Sequence, residues 1–221
     1  MARWRRIRRC GLMVAAAAMA SAGVIGGCNY VATATLLVHG PPKRPAAFSL
    51  DAKKRTVLFV DDRSSNLPRR VLRDMIAETA EQTLLDRGVL APELLISHRG
   101  ALAAAAGERF ERLLSRVEVG EAVGAEVLIY ATVDAFTLSA DGTTFVPAAA
   151  LRLKVLDVVS GERLWPEEDQ GKVFTMTMFQ KQGTVPDRST QRLAEEELAR
   201  YVGVGFAQVF HEHDAAKSNL Q

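Results

Sequence analysis

The N-terminal segment constrains the fold of this chain before any other feature does. Arg3, Arg5, Arg6, Arg8 and Arg9 form a basic head, and Gly11 to Val24 is a short, Ala-rich apolar run. That order of parts reads as an export signal. The run is too short to cross a bilayer comfortably, which takes about 20 apolar residues. Residues 1–27 are therefore expected to stand outside the fold, and the remainder of the 221-residue chain must supply it.

The run closes on Ile25-Gly26-Gly27-Cys28, which resembles the lipobox of bacterial lipoproteins. The resemblance implies a signal peptide cut before Cys28 and lipidation of that thiol by diacylglycerol, with palmitate as the expected acyl group. The competing reading is a plain signal peptide or an uncleaved anchor. Cysteine use agrees with the lipobox: of the two cysteines, Cys10 lies inside the signal and Cys28 is the acylation site. The mature chain would keep neither a free thiol nor a disulfide, which excludes a thiol enzyme. Arg8-Arg9-Cys10-Gly11-Leu12 also resembles a twin-arginine signal, so both export routes stay open. Asn29 after Cys28, by analogy with enterobacteria, points to the outer membrane, facing the periplasm.

Removing the signal takes away five arginines and no acids. Lys plus Arg falls from 28 to 23 against 26 Asp plus Glu, and the formal charge moves from +2 to −3. A mature chain of that balance, exported from the cytoplasm, is not expected to bind nucleic acid, because phosphate binding needs clustered Lys and Arg.

Residues 28–55, with Gly40-Pro41-Pro42 and Pro45, read as a lipidated tether. Residues 56–213 are expected to form a single α/β domain with an open mixed sheet and helices packed on it, and 214–221 a disordered tail. Thr56-Val57-Leu58-Phe59-Val60 reads as a buried parallel strand. Pro68 opens a helix whose Val71, Leu72, Met75, Ile76, Thr79, Ala80, Thr83 and Leu84 recur at helical spacing until Gly88. A strand over Glu93 to Ile96, an Ala-rich helix over Ala101 to Ala106 and a helical stretch from Glu108 to Val123 follow. Val127 to Val133 then pairs through the Asp141-Gly142 turn with the alternating Ala149, Leu151, Leu153 and Val155 in an antiparallel hairpin. Glu162 to Trp165 and Val173 to Phe179 add strands. A loop from Gln180 to Asp187 precedes a helix from Thr190 to near His213, with Leu193, Leu198, Tyr201, Val202, Phe206, Val209 and Phe210 on its apolar face.

Two motifs carry a family resemblance: Val123-Gly124-Ala125-Glu126-Val127-Leu128-Ile129, and the strand end Leu156-Asp157-Val158-Val159-Ser160-Gly161-Glu162. With the lipobox and tether they make the chain similar to periplasmic lipoproteins related to the curli secretion channel and the penicillin-binding-protein activator. The likeness covers roughly residues 56–165 and departs at Glu126, where the family more often has Asp. It implies a small α/β domain that serves in the envelope as a binding or oligomerisation module rather than as an enzyme. No counterpart of pore-forming hairpins is visible between Thr132 and Thr144.

The candidate site residues are few. Asp61-Asp62 after the first strand resembles the acidic pair of response-regulator receivers, but no Lys-Pro follows. The plainer reading is a turn in which these carboxylates, or Ser64, Ser65 and Asn66, cap the next helix. His98 stands where a strand end meets a helix start, a place where α/β folds often bind ligands. His211-Glu212-His213 reads as exposed polar tail rather than a metal site. Ser139, Ser160 and Ser189 lack a nucleophile frame, and no phosphate-binding glycine pattern occurs. Trp165, with Glu167-Glu168-Asp169 and Met176, Met178 and Phe179, offers either a partner surface or core packing beside a solvated loop.

Two functions fit. One is a membrane-anchored periplasmic lipoprotein that binds an envelope protein or itself, with no catalytic residues, cofactor or metal. The alternative is a small-ligand- or metal-binding domain, or an enzyme, with a site near Asp61, Asp62 and His98, which requires those residues to converge.

Overall fold

From residue 42 onward short strands alternate with helices in the computed structural model of the protein, which describes residues 42–107, 114–178 and 187–221. The expected signal, Cys10, Cys28, the tether up to residue 41, the stretch 108–113, and 179–186 with Gly183 and Pro186 lie outside the described residues. Strands β1 (Lys43–Arg44) and β2 (Thr56–Asp61) precede helix α1 (Arg70–Asp86). Strand β3 (Leu95–Ile96) and helices α2 (His98–Ala106) and α3 (Arg116–Ala122) lead to the hairpin of β4 (Val127–Thr137) and β5 (Ala148–Asp157). Then come β6 (Arg163–Trp165), β7 (Lys172–Thr177), helix α4 (Arg188–Gln208) and β8 (His213–Asp214).

The sheet runs β3-β2-β4-β5-β6, with β7 also paired to β5. β2 is parallel to both β3 and β4, whereas β4, β5, β6 and β7 pair antiparallel. It is the open mixed sheet that the sequence predicts. Alternation of side chains across the strands divides the core in two. Leu58, Val60, Ile129, Val133, Leu151 and Leu153 face the larger cluster, where α1 and α4 supply Leu72, Ile76, Leu198 and Phe206. Val57, Phe59, Leu128 and Tyr130 face the smaller one, closed by Ala101 of α2 and Val119 of α3. Every residue of β2 and the first five of β4 are buried, as strands covered on both faces must be. β5 alternates instead, so its apolar half alone meets the core.

Local chemistry sets the helix ends. Ser115 and Glu118 form a reciprocal capping box at the start of α3, and Ser97 caps α2. α1 is stopped by Gly88 at φ +65, a conformation glycine adopts without strain. α1 begins later than expected: Pro68 precedes it, and Arg69 occupies the cap position with no side-chain cap. Arg69 instead reaches α4, donating to Glu195 Oε2 at 2.8 Å and to the Arg192 carbonyl at 3.0 Å. Val71 and Leu193, both expected in apolar faces, are exposed.

Both ends of the domain differ from expectation. The compact unit starts at Lys43, inside the expected tether, and continues to Gln221. β1 pairs antiparallel with β8, setting Lys43 opposite Asp214 and Arg44 opposite His213. Leu50 and Leu220 are buried, and the Gln221 amide donates to the Thr175 carbonyl at 3.0 Å. The last residues are therefore not a free tail. These segments order each other across the length of the chain, and neither has a local pattern that shows it.

The two family-like motifs are adjoining pieces of turn structure. β4 and β5 pair antiparallel with Val127 opposite Asp157, which brings the start of one motif beside the other. The Val158 amide donates to the Glu126 carbonyl at 2.8 Å, and the Glu126 amide to the Arg55 carbonyl at 2.8 Å. Asp157 accepts the Lys54 ammonium at 2.7 Å and the Val159 and Ser160 amides at 3.0 Å. Those donors, Lys54 first, hold its carboxyl down at about 2.

Candidate functional site

β2 ends at the carboxyl edge of the sheet, where open α/β folds leave a crevice. A cleft of about 540 Å³ lies there, lined among others by Phe59, Asp61, Asp62, Arg63, Arg70 and Arg73. Asp61 is 5% exposed. Its Oδ2 accepts the Tyr130 hydroxyl at 2.7 Å and lies 3.0 Å from Arg63 Nε. Asp62 does not cap α1. It holds the loop before that helix by accepting the Asn66 amide at 2.8 Å and the Leu67 amide at 3.1 Å. Asn66 Nδ2 ties the same loop to the Val133 carbonyl of β4 at 2.8 Å. Arg73 Nε is buried and has no hydrogen-bond partner among the described residues.

Arg63 also lines a second cleft, of about 610 Å³, together with Ser115, Arg116, Lys154 and Arg163. Arg116 lies over the Tyr130 ring, 4.4 Å from its centroid. Tyr130 therefore supports both clefts, with its hydroxyl on Asp61 and its face under Arg116. Lys154 is held below its usual value, first by burial and then by Arg116, Arg163 and Arg152, with Asp169 opposing. Lys154 Nζ donates to the Asp169 carbonyl. Arg163 donates to the Asp169 carboxylate at 2.7 Å and to the Glu167 carbonyl at 2.9 Å. Among the described residues lining either cleft there is no histidine or cysteine.

His98 does not join Asp61 and Asp62. β3 sets Leu95 and Ile96 beside Thr56 and Val57, the opening of β2, whereas Asp61 closes that strand. His98 is 2% exposed and fastens α2 to α1, its amide donating to Glu81 Oε1 at 2.6 Å and its Nδ1 lying 2.8 Å from Glu81 Oε2. Trp165 packs between Phe48 and Phe174, each with a centroid distance of 6.0 Å. Met176 and Met178 are in the core, while Glu167, Glu168 and Asp169 are exposed. His211 and His213, expected in an exposed tail, are buried against each other at 5.6 Å, because β8 and the residues after it fold back onto the domain. Burial, with Arg87 and His213 nearby, holds His211 below its ordinary value. Among the described residues no group of three or more His, Cys, Asp or Glu is placed to hold a metal ion.

No family model and no curated protein matches the chain. Several solved structures are similar to it. A PelC dodecamer from Paraburkholderia phytofirmans is 13% identical, covering 76% of this chain and 97% of that one at a TM-score of 0.39. Lipoprotein GNA1162 from Neisseria meningitidis is 12% identical over 66% and 96% of the two chains, at 0.35. The LpoB C-terminal domain from Salmonella enterica is 20% identical over 61% and 84%, at 0.33. Envelope lipoproteins are thus among the proteins this chain is similar to. At these scores they lend it no chemistry and no partner.

The arginines and Lys154 of the two clefts are the residues that sequence reasoning missed. Arg63, Arg69, Arg70 and Arg73 stand close together in the chain, and Arg152 and Lys154 alternate with apolar residues on β5. Their convergence with Arg116 and Arg163 depends on sheet pairing, which the sequence does not display.

The Asp61 contact is testable alone. Asp61→Ala removes the acceptor of the buried Tyr130 hydroxyl and is expected to cost about 1–3 kcal/mol of stability, with Asp61→Asn milder. A double-mutant cycle with Tyr130→Phe in urea measures it, and a coupling energy near zero would show that the bond contributes nothing.

Proposed function

We propose that the chain is a lipoprotein of the cell envelope, anchored to the outer membrane through an acylated Cys28, whose α/β domain faces the periplasm and binds or assembles with other envelope protein. The observation that carries this reading is the Ile25-Gly26-Gly27-Cys28 step behind a basic head, followed by only residues 29–42 before the compact unit starts at Lys43. No helix among the described residues is long and apolar enough to cross a membrane. Lipid on Cys28 would supply the attachment, since acyl chains contribute about 0.8 kcal/mol per buried methylene.

The clefts support binding rather than catalysis. They combine cations held by fixed partners with an apolar floor at Phe59, Leu102 and Leu156. Among the described residues lining them no nucleophile is paired with a base as acyl or phosphoryl chemistry requires.

Intact mass and detergent partitioning of the native protein beside Cys28→Ser test the anchor. A lipid-sized increment and a detergent-phase protein, both lost in the variant, are expected. An unmodified native mass would remove the anchor from the reading. Mild crosslinking on membranes tests the second half: a domain that stays monomeric and captures nothing is not an assembly module.

A further inference from the structure

Arg63 lines both clefts, so the two adjoin in one groove, with Arg63, Arg70, Arg73, Arg116, Lys154 and Arg163 on its walls. Asp61 and Asp62 are the acids among the described lining residues, and both are engaged within the chain, Asp61 by Tyr130 and Arg63, Asp62 by the Asn66 and Leu67 amides. Among the described lining residues cations therefore exceed acids, although the chain after Cys28 is acidic overall by its formal charge. Five of the six cations are arginines, whose planar forks match carboxylates in paired hydrogen bonds.

Two of these cations, Arg163 and Lys154, are held by a neighbouring loop of the chain. The exposed Glu167-Glu168-Asp169 loop offers them one carboxylate, Asp169 on Arg163 at 2.7 Å, and two backbone carbonyls, Glu167 on Arg163 at 2.9 Å and Asp169 on Lys154. Mixed recognition of carboxylate and main-chain carbonyl suits a peptide and not a lipid headgroup, which has no peptide backbone. In the first cleft Arg73 Nε is buried and has no hydrogen-bond partner among the described residues.

We propose that this groove is the protein-binding surface of the domain and that it takes an extended acidic segment of the partner, with Glu or Asp side chains on Arg70, Arg73 and Arg116. This rests on the binding role proposed above and names its site and chemistry. Binding is then driven by charge complementarity and weakens as salt screens the exposed guanidinium groups.

Labelled hexaglutamate, titrated against the full-length lipidated protein in neutral detergent at low and high salt, is the probe. Wild type is expected to bind and to weaken with salt. The charge-reversed Arg70→Glu/Arg116→Glu variant should lose about tenfold or more in affinity, as should Arg116→Glu alone if the double variant folds poorly. Arg200→Glu, exposed on α4 and outside both clefts, should bind as wild type does. Equal hexaglutamate affinity in all four proteins overturns the proposal. So does binding of micelles doped with phosphatidylglycerol by a wild type that ignores the peptide, which would make the groove a lipid site. In crosslinking, a partner captured equally by wild type and the double variant would leave the assembly role standing and remove the groove from it.

Discussion

Phe206→Ala is expected to lower the free energy of unfolding by about 3–5 kcal/mol, the loss typical of a large aromatic side chain deleted from a core that cannot collapse around the gap. Phe206 is 0% exposed, sits on α4 in the larger cluster and meets Phe210 edge-on at a centroid distance of 6.1 Å. α4 also carries Leu193, which is 62% exposed. Leu193→Ala should therefore change stability by no more than about 0.5 kcal/mol, as surface substitutions usually do. Urea unfolding of both variants checks the contrast. Similar losses would mean that Leu193 is covered in solution, by a partner or a second copy. A small loss at Phe206 would mean that α4 does not pack as described.

Gly203→Leu is expected to break the α1–α4 contact outright, and Gly203→Ala to weaken it by about 1–3 kcal/mol through overpacking. A Cβ at position 203 would stand 2.6 Å from Thr79 Cβ and 2.7 Å from the Ile76 carbonyl oxygen. The second neighbour is backbone and cannot rotate away, so the helices must separate. Intrinsic propensity acts in the opposite direction, since alanine is favoured over glycine inside a helix by about 1 kcal/mol. The sign of the Ala variant therefore reports which effect wins, and the close approach predicts a net loss. Thermal unfolding decides it: an unchanged or raised midpoint for Gly203→Ala would show that the two helices have room to spare. Arg69 makes the same contact matter at the start of α1, because its bonds to Glu195 and Arg192 hold the two helices together where α1 lacks a cap.

For the candidate site, the sequence identified the strand end and missed the cations around it. Asp61 and Asp62 follow an apolar run that is visibly a buried strand, and a cleft does lie beside them. The part of each acid was not legible: Asp61 depends on Tyr130, 69 residues away, and Asp62 on amides in its own loop. His98 looked like a neighbour because it too follows a strand. Parallel register puts that strand at the other end of β2. Trp165 was open between partner surface and core, and Phe48, from a segment with no strand or helix pattern, packs against it.

The sequence by itself determined the elements and the class. Period-two and period-3.6 apolar patterns and the Asp141-Gly142 and Gly88 stops are local signals, and burial of the patterned faces forces a mixed sheet with helices on it. Tertiary structure alone decided where the domain begins and ends, because β1 and β8 are two-residue strands that have no pattern and exist only as each other's partner. It alone decided which apolar helix positions are covered, so that Val71 and Leu193 face solvent while Leu72 and Leu198 are buried. It also gathered a groove whose described lining is basic from a chain whose domain is not, since charge adds up along a sequence but converges only through tertiary packing.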